Sequence, residues 1–310
     1  MSKIIVTGAA GLVGQNLIPL LRAYEVVAID KNENNLSILA ELNPGVKTVR
    51  ADVSQKGSWS REFKGAACVV TLHAQIAGLS DRPFVKNNVV GTENVIKAMK
   101  AAGVKRLVHV SSSVVLSKEQ DDYTRTKRLA EKLVEKSGLD YTMLRPPLMY
   151  GCFDRKHLGY LGRLMKKTPI FPIPGNGEYI RQPLYAKDLA RVIVRCIEKK
   201  PRKRVYSIIG KEKIPFKDLM RKIRDARSAR CVIVSIPVPL FAFLMRAYAL
   251  VTRKPPFTTD QLDALVAGDV FDVEPWWDEF GVPCTPFDEG MKEMLSSGCE
   301  RYALATEGER

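Results

Sequence analysis

The first fourteen residues limit the fold of this chain more than any other stretch does. Residues 3–7, Lys-Ile-Ile-Val-Thr, are apolar and β-branched, the composition of a short buried strand. Gly8-Ala-Ala-Gly11-Leu-Val-Gly14 follows at once, and Leu17, Ile18, Leu20 and Leu21 continue at helical spacing. Strand, glycine turn and helix in that order are the setting of a phosphate-binding loop. Glycine lets the backbone approach a pyrophosphate, and the helix N-terminus offers free N–H groups and a positive dipole end. The second strand, Glu25–Asp30, ends in a carboxylate suited to both ribose hydroxyls of NAD and repulsive to the 2′-phosphate of NADP. NAD is therefore expected in preference to NADP. Asp52-Val53 follows a third strand, 46–49, and can meet the adenine edge.

A second constellation lies further on. Tyr123 and Lys127 are four residues apart and share one face of a helix. A nearby ammonium favours phenolate, so the phenol of Tyr123 is expected to titrate below its ordinary value of about 10. Such a phenol trades a proton with an alcohol or carbonyl while a serine of the triplet Ser111-Ser112-Ser113 holds the same oxygen. Ser113 is the serine assigned to that task.

These segments, in this order, resemble the extended short-chain dehydrogenase/reductase family. The resemblance runs through Thr7 to Gly14, Asp30, Asp52-Val53, Leu72-His73-Ala74, Asn88-Val-Val-Gly-Thr92, Val110 to Ser113, Tyr123 with Lys127, Arg145-Pro-Pro-Leu-Met-Tyr-Gly151, Pro174 to Gly177, and Asp188-Leu-Ala190. It implies an α/β fold: a doubly wound parallel Rossmann sheet with a smaller mixed C-terminal substrate lobe. The NAD-binding domain would span 1–150, with 178–210 partly returning to it, followed by a lobe over 151–297 and a flexible tail over 298–310. It implies hydride exchange between nicotinamide and a substrate C–OH. Ser113 would bind the reacting oxygen, Tyr123 would be the acid/base, and Lys127 would hold the nicotinamide ribose. Gly8, Gly11, Leu12, Val13, Gly14, Asp30, Asp52, Val53, His73, Ala74, Lys127 and Pro146 would line the cofactor. His73 would do so through backbone, without a catalytic role. By the same resemblance the chain is a homodimer joined through helices near 82–101 and 121–137.

Length and charge set limits. A chain of 310 residues suits one large domain with an appended lobe. Residue 3 already begins a strand, which leaves no room for a signal or transit peptide. Cys231 to Met245 is the longest apolar stretch, but Ser235, Pro237 and Pro239 interrupt it, and a spanning helix needs about 20 residues. Six cysteines without paired spacing and three histidines suggest reduced thiols, no metal site and a cytoplasmic setting. Residues 195–230 hold 14 Lys/Arg against four Asp/Glu and so supply ten of the net +15. That excess suits an anionic lipid surface, the steering of an anionic substrate, or a plain solvated face. Nucleic acid is disfavoured because few aromatics interleave with the charges.

Asn88 is expected to satisfy backbone groups inside its own helix. Asp154 to Lys167 is expected to form a lobe helix, and Phe287 to sit in the last helix, Pro286–Leu295. Trp276, Trp277 and Phe280 read as packing. Along 235–251, Ile236, Leu240, Phe243, Leu244 and Ala247 share a helical face that packs the lobe, lids a lipophilic substrate or faces a membrane. Arg181, seven residues before Asp188, matches an arginine that contacts the substrate diphosphate in the family's nucleotide-sugar enzymes; the equal alternative is a surface arginine on a strand over 179–185. The family's 4,6-dehydratases carry Asp-Glu where this chain has Val114-Val115, which argues against dehydration. Only nine residues separate Ser113 from Tyr123, fewer than sugar epimerases have. Three readings stand: a nucleotide-sugar 4-epimerase or 4-ketoreductase, a dehydrogenase of a steroid-like alcohol, and a non-catalytic NAD-binding scaffold. Intact Ser113, Tyr123 and Lys127 speak against the third.

Overall fold

Short β-branched runs alternate with amphipathic segments through the first half of the chain, and a parallel sheet layered by helices is how such runs bury both faces. The computed structural model describes residues 1–304 apart from 79, 119, 200, 252–258 and 269. Six strands come first: β1 (Lys3–Thr7), β2 (Glu25–Asp30), β3 (Lys47–Arg50), β4 (Ala66–Thr71), β5 (Arg106–Val110) and β6 (Asp140–Arg145). Between them lie α1 (Leu12–Leu17), α2 (Glu33–Leu42), α3 (Asp81–Phe84), a π-helical turn over Val85–Val90, α4 (Gly91–Ala101) and α5 (Asp122–Glu135). Beyond them come β7 (Met149–Tyr150), α6 (Leu158–Lys167), β8 (Ile170–Pro174), β9 (Ile180–Arg181), β10 (Leu184–Tyr185), α7 (Ala186–Lys199), β11 (Arg204–Ser207), β12 (Ile214–Pro215) and α8 (Phe216–Ala226). The chain continues through β13 (Val232–Ile236), α9 (Val238–Val251), α10 (Thr259–Ala267), α11 (Trp276–Phe280), α12 (Phe287–Met294) and α13 (Ser297–Leu304).

Seven strands form the central sheet in the order β11-β6-β5-β4-β1-β2-β3. Every pair is parallel, so the fold is a Rossmann-like α/β layer structure. The chain runs outward from β1 to β3 and restarts at β4 on the other side of β1. That reversal opens a crevice at the strand C-termini, where such sheets bind ligands. One face of the sheet packs under α1 and α7 through Leu17, Val192 and Ile193; the other packs under α4 and α5 through Val95, Met99 and Val134. Trp276 and Phe280 join the first of these cores, and the Trp276 indole donates to the Ile209 carbonyl.

The lobe has its own core around Tyr150, Phe171, Phe216, Leu219 and Phe287. Its first helix begins at Leu158 rather than 154. The buried Asp154 carboxylate accepts from the amides of Lys156, His157 and Gly159 and holds the intervening residues in a turn. The expected strand over 179–185 divides into β9 and β10. Between them Gln182 bonds the Phe271 backbone from both ends of its amide.

Two expectations are corrected here. The thiols are not all reduced: Cys152, just after β7, is disulfide-bonded to Cys299 in α13. With that bond the cysteine argument for a cytoplasmic setting falls. Nor is 298–304 a flexible tail. It is helical, its Cys299 is buried, and the Tyr302 carbonyl accepts from Arg155 at 3.3 Å. The rest of the expected tail, 305–310, lies outside the described residues.

A cross-link over a separation of 147 residues removes much freedom from the unfolded chain, worth roughly 2–4 kcal/mol. Cys299→Ser, or dithiothreitol treatment, should therefore lower the melting temperature by a few degrees. Peptide mapping without reductant should recover Cys152 linked to Cys299. Alkylation of all six cysteines in unreduced, denatured protein would refute the bond.

Candidate active site

The crevice is built first by glycine. Gly8 has φ +71°, and a Cβ there would lie 2.6 Å from the His73 Cα, so β1 and β4 can converge only without a side chain. A Cβ on Gly14 would lie 2.7 Å from the Ala9 Cα, so α1 seats on the loop for the same reason. The N-cap of α1 is Gly11, with no side chain to cap the first turn. The first turn of α1 thus keeps its amides without a side-chain cap, as a pyrophosphate site requires.

Asp30 ends β2 and ties the loop to it. One carboxylate oxygen accepts from the Ala10 amide and the other from the Asn32 amide, both at 3.0 Å. Each oxygen keeps lone-pair capacity for a ribose hydroxyl. Asp52, at the end of β3, is partly buried, which opposes its ionisation. The Ser54 hydroxyl (2.6 Å) and amide and the Lys86 ammonium outweigh this and lower its pKa. These residues fit NAD: a cradle that a Cβ would fill, uncapped amides for the pyrophosphate, and a carboxylate at the second strand end.

His73 sits at the floor. Its Nδ1 pairs with the Thr7 hydroxyl at 2.7 Å, and its Nε2 is enclosed without a protein partner. Burial, with Lys127 and Lys31 adding, pulls its pKa down to about 3, so the ring is neutral. Contrary to the expectation, the Asn88 side chain serves groups outside its own helix. Its amide brackets Gln75 of the neighbouring loop, accepting from the nitrogen (2.7 Å) and donating to the carbonyl (3.1 Å), and it also donates to the Thr126 hydroxyl (3.0 Å). The loop after β4 is thereby fastened to α5.

α5 carries the second constellation. Its N-cap Asp121 accepts from the Thr124 amide. Lys127 is 2% exposed and donates to the Val110 carbonyl at the end of β5, 3.0 Å away. Burial lowers its pKa to about 8, with Glu131 opposing. Glu131 is held by Arg145 through two bonds, 2.9 and 2.6 Å, which pin α5 to the end of β6.

The turn after β5 brings Ser112 beside the Tyr123 phenol, where its hydroxyl acts to lower the phenol pKa. Ser113 is 1% exposed, and its amide donates to the Pro146 carbonyl at 2.9 Å. A triplet of identical residues cannot say which member faces the cleft. The expected lowering of the phenol is reversed. Although Tyr123 is only half-buried as a residue, its hydroxyl lies inside. That burial raises its pKa, Ser112 opposes the rise, and Asp121 adds to it. The Lys127 ammonium is spent on Val110 instead.

Arg181 lies over the Tyr179 ring at 5.5 Å and donates to the carbonyls of Ile180 and Leu265, the latter in α10. Sequence reasoning missed Ser112, Glu131 and Arg155. Glu131 was findable as a carboxylate one turn beyond Lys127. Arg155 was not: burial lowers its pKa to about 10, Arg163 adds to that, and Asp154 and Asp30 oppose. Its surroundings are assembled only across the fold.

Known proteins bear on this geometry. Residues 4–208 match the family model described as NAD dependent epimerase/dehydratase family. A curated relative from Arabidopsis thaliana, 3beta-hydroxysteroid-dehydrogenase/decarboxylase isoform 2, is 26% identical across 94% of this chain, which spans 61% of that protein's length. Among solved structures, UDP-glucose 4-epimerase from Thermotoga maritima superposes with a TM-score of 0.75 at 20% identity, covering 94% of this chain and 96% of that one. The dTDP-glucose 4,6-dehydratase DesIV from Streptomyces venezuelae, solved with NAD, gives 0.72 at 19%, covering 98% of each. At such identities the likeness is one of fold, and it spans epimerases and dehydratases alike.

Removing the Asp30 charge should weaken NAD about tenfold or more, the cost of losing hydrogen bonds to a charged group. Asp30→Asn should also narrow the preference for NAD over NADP. Titration of both dinucleotides against wild type and variant checks this, and a wild-type preference for NADP would overturn the assignment.

Proposed function

The chain belongs to the NAD dependent epimerase/dehydratase family, and on that premise we propose that it exchanges a hydride between NAD and a substrate C–OH carbon, with Tyr123 moving the hydroxyl proton. The observation that carries this reading is Lys127, buried one helical turn from Tyr123 and bonded to the last carbonyl of β5, with Ser112 beside the phenol. Bound NAD supplies a nicotinamide ring that accepts or returns the hydride. Ser112 holds the reacting oxygen by a hydrogen bond, and Tyr123 gives it a proton or takes one. Lys127 fixes the helix and lends positive charge beside the cofactor ribose. Because burial raises the Tyr123 pKa, the phenol is protonated at neutral pH and poised to donate to a carbonyl. Carbonyl reduction is thus favoured near neutrality, and alcohol oxidation rises through the alkaline range as phenolate forms.

The substrate is read as a nucleotide sugar, altered at its 4-position by epimerisation or ketoreduction. Arg181, close to the Gly175-Asn176-Gly177 turn, is the residue to engage a diphosphate, because a guanidinium forks to two oxygens in place of the carbonyls it now holds. Val114 and Val115 offer no acid/base pair, so elimination of water is not part of the proposed reaction. A lipophilic alcohol is the second reading, favoured by the short segment before Tyr123 and by the apolar helix α9. The proposed homodimer would use α5, where Leu129 is 38% exposed.

Tyr123→Phe should abolish turnover at every pH while NAD affinity stays near wild type. Ser112→Ala should cost at least about 100-fold in kcat, and Ser113→Ala far less. The reverse order of the two serines would return the role to Ser113, and a Tyr123→Phe enzyme within a few-fold of wild type would remove the acid/base assignment.

Thermal shifts with NAD present separate the substrate classes, since a ligand of the folded state raises its melting point. UDP and UDP-sugars should stabilise wild type and lose that effect in Arg181→Ala. Stabilisation by sterols alone would favour the lipophilic reading.

A further inference from the structure

In helix α9 the sequence pattern and the surroundings disagree. Leu240, Phe243, Leu244 and Ala247 fall at helical spacing on one face, the pattern of a buried stripe. In the structure that stripe faces outward: Leu240 is 47% exposed, Phe243 65% and Leu244 50%. The expectation that it packs the lobe is not met. The strand pair leading into the helix does the same. Val232 on β13 is paired with Ile170 on β8, and the two are 61% and 58% exposed. The Ile236 carbonyl at the end of β13 accepts from the Gly175 amide at 2.7 Å, which holds the start of α9 against the lobe. Large outward apolar groups gathered on one surface mark an interaction site.

The segment that carries this surface is basic, although the exposed Asp263 lies on α10, which packs against α9. From Ala226 to Thr259 the chain contains no Asp or Glu and five Lys/Arg. Arg230, just before β13, and Arg246, on α9, are both exposed. The preceding stretch, 195–230, carries most of the chain's net positive charge. A partner that fits must offer an apolar phase and negative charge together.

We propose that α9 and the β8–β13 pair form a docking surface for an anionic phospholipid bilayer, a property independent of the substrate reading. Fourteen residues at 1.5 Å each make a helix about 21 Å long, short of the roughly 30 Å hydrocarbon core. The helix therefore lies in the interface, with Leu240, Phe243 and Leu244 in the acyl boundary. Arg230 and Arg246 meet the lipid phosphates, each such charge adding about 1 kcal/mol near an anionic surface. A second copy of this chain is a poorer occupant, because it would bring the same cations against themselves.

Co-sedimentation with vesicles tests this on the intact protein. Wild type should bind phosphatidylcholine–phosphatidylglycerol vesicles and bind pure phosphatidylcholine much less. Phe243→Asp combined with Leu244→Asp should weaken binding about tenfold or more, with the melting temperature and NAD affinity held. Arg230→Glu with Arg246→Glu should abolish the preference for anionic vesicles. Phe243→Trp gives a gain-of-signal check, since its emission should shift to the blue when anionic vesicles are added. Absent binding by wild type, binding retained by the aspartate variant, or an unshifted Phe243→Trp spectrum would each overturn the proposal. A wild-type dimer in sedimentation that Phe243→Asp dissolves, without vesicle binding, would assign the surface to self-association instead.

Discussion

A buried ammonium sets the geometry of this molecule's active site. Lys127 reaches the last carbonyl of β5 from inside the protein. A lysine so enclosed loses hydration, which its lowered pKa records. Glu131 opposes that loss and is itself clasped by Arg145 from β6. The chain Val110–Lys127, with Glu131–Arg145 beside it, locks α5 in rotation and in height against two strand ends. Tyr123 and Ser112 meet because of that lock, one lying a turn before the lysine and the other two residues past the strand. Substitutions at Glu131 or Arg145 would therefore act on the site through position rather than chemistry.

The nucleotide end is organised by the opposite means, the absence of side chains. Gly8 and Gly14 permit backbone contacts that any Cβ would block, and Asp30 then fastens the resulting loop to the next strand. His73 spans the two regions. Its backbone closes on Gly8, and its ring, kept neutral by burial and nearby cations, fills the floor between Thr7 and Gly91. Asn88 extends the same structure by joining the loop after β4 to Thr126 on α5. The glycine loop and the region around Tyr123 are thus coupled through buried polar groups.

The C-terminal third departs from this order. A disulfide secures α13 beside Arg155, Gln182 secures the segment at Phe271, and Arg181 secures the end of α10. Against these ties α9 stands out with its apolar stripe turned to the exterior. An element that stands outside the lobe core in this way leaves a surface free to serve a partner.

What the linear order of residues settled was whatever depends on near neighbours. The parallel sheet, the glycine cradle, the acid at the end of β2 and the Tyr123–Lys127 pair all rest on contacts within a turn, a strand or a βα unit, and short motifs encode such contacts directly. Tertiary packing settled the rest. It diverted Lys127 to a carbonyl, raised rather than lowered the Tyr123 phenol, joined Cys152 to Cys299 and left Phe243 outside. Periodicity says which side chains share a face. It does not say what lies against that face, and burial, which governs both titration and apolar exposure, belongs to the neighbour as much as to the residue.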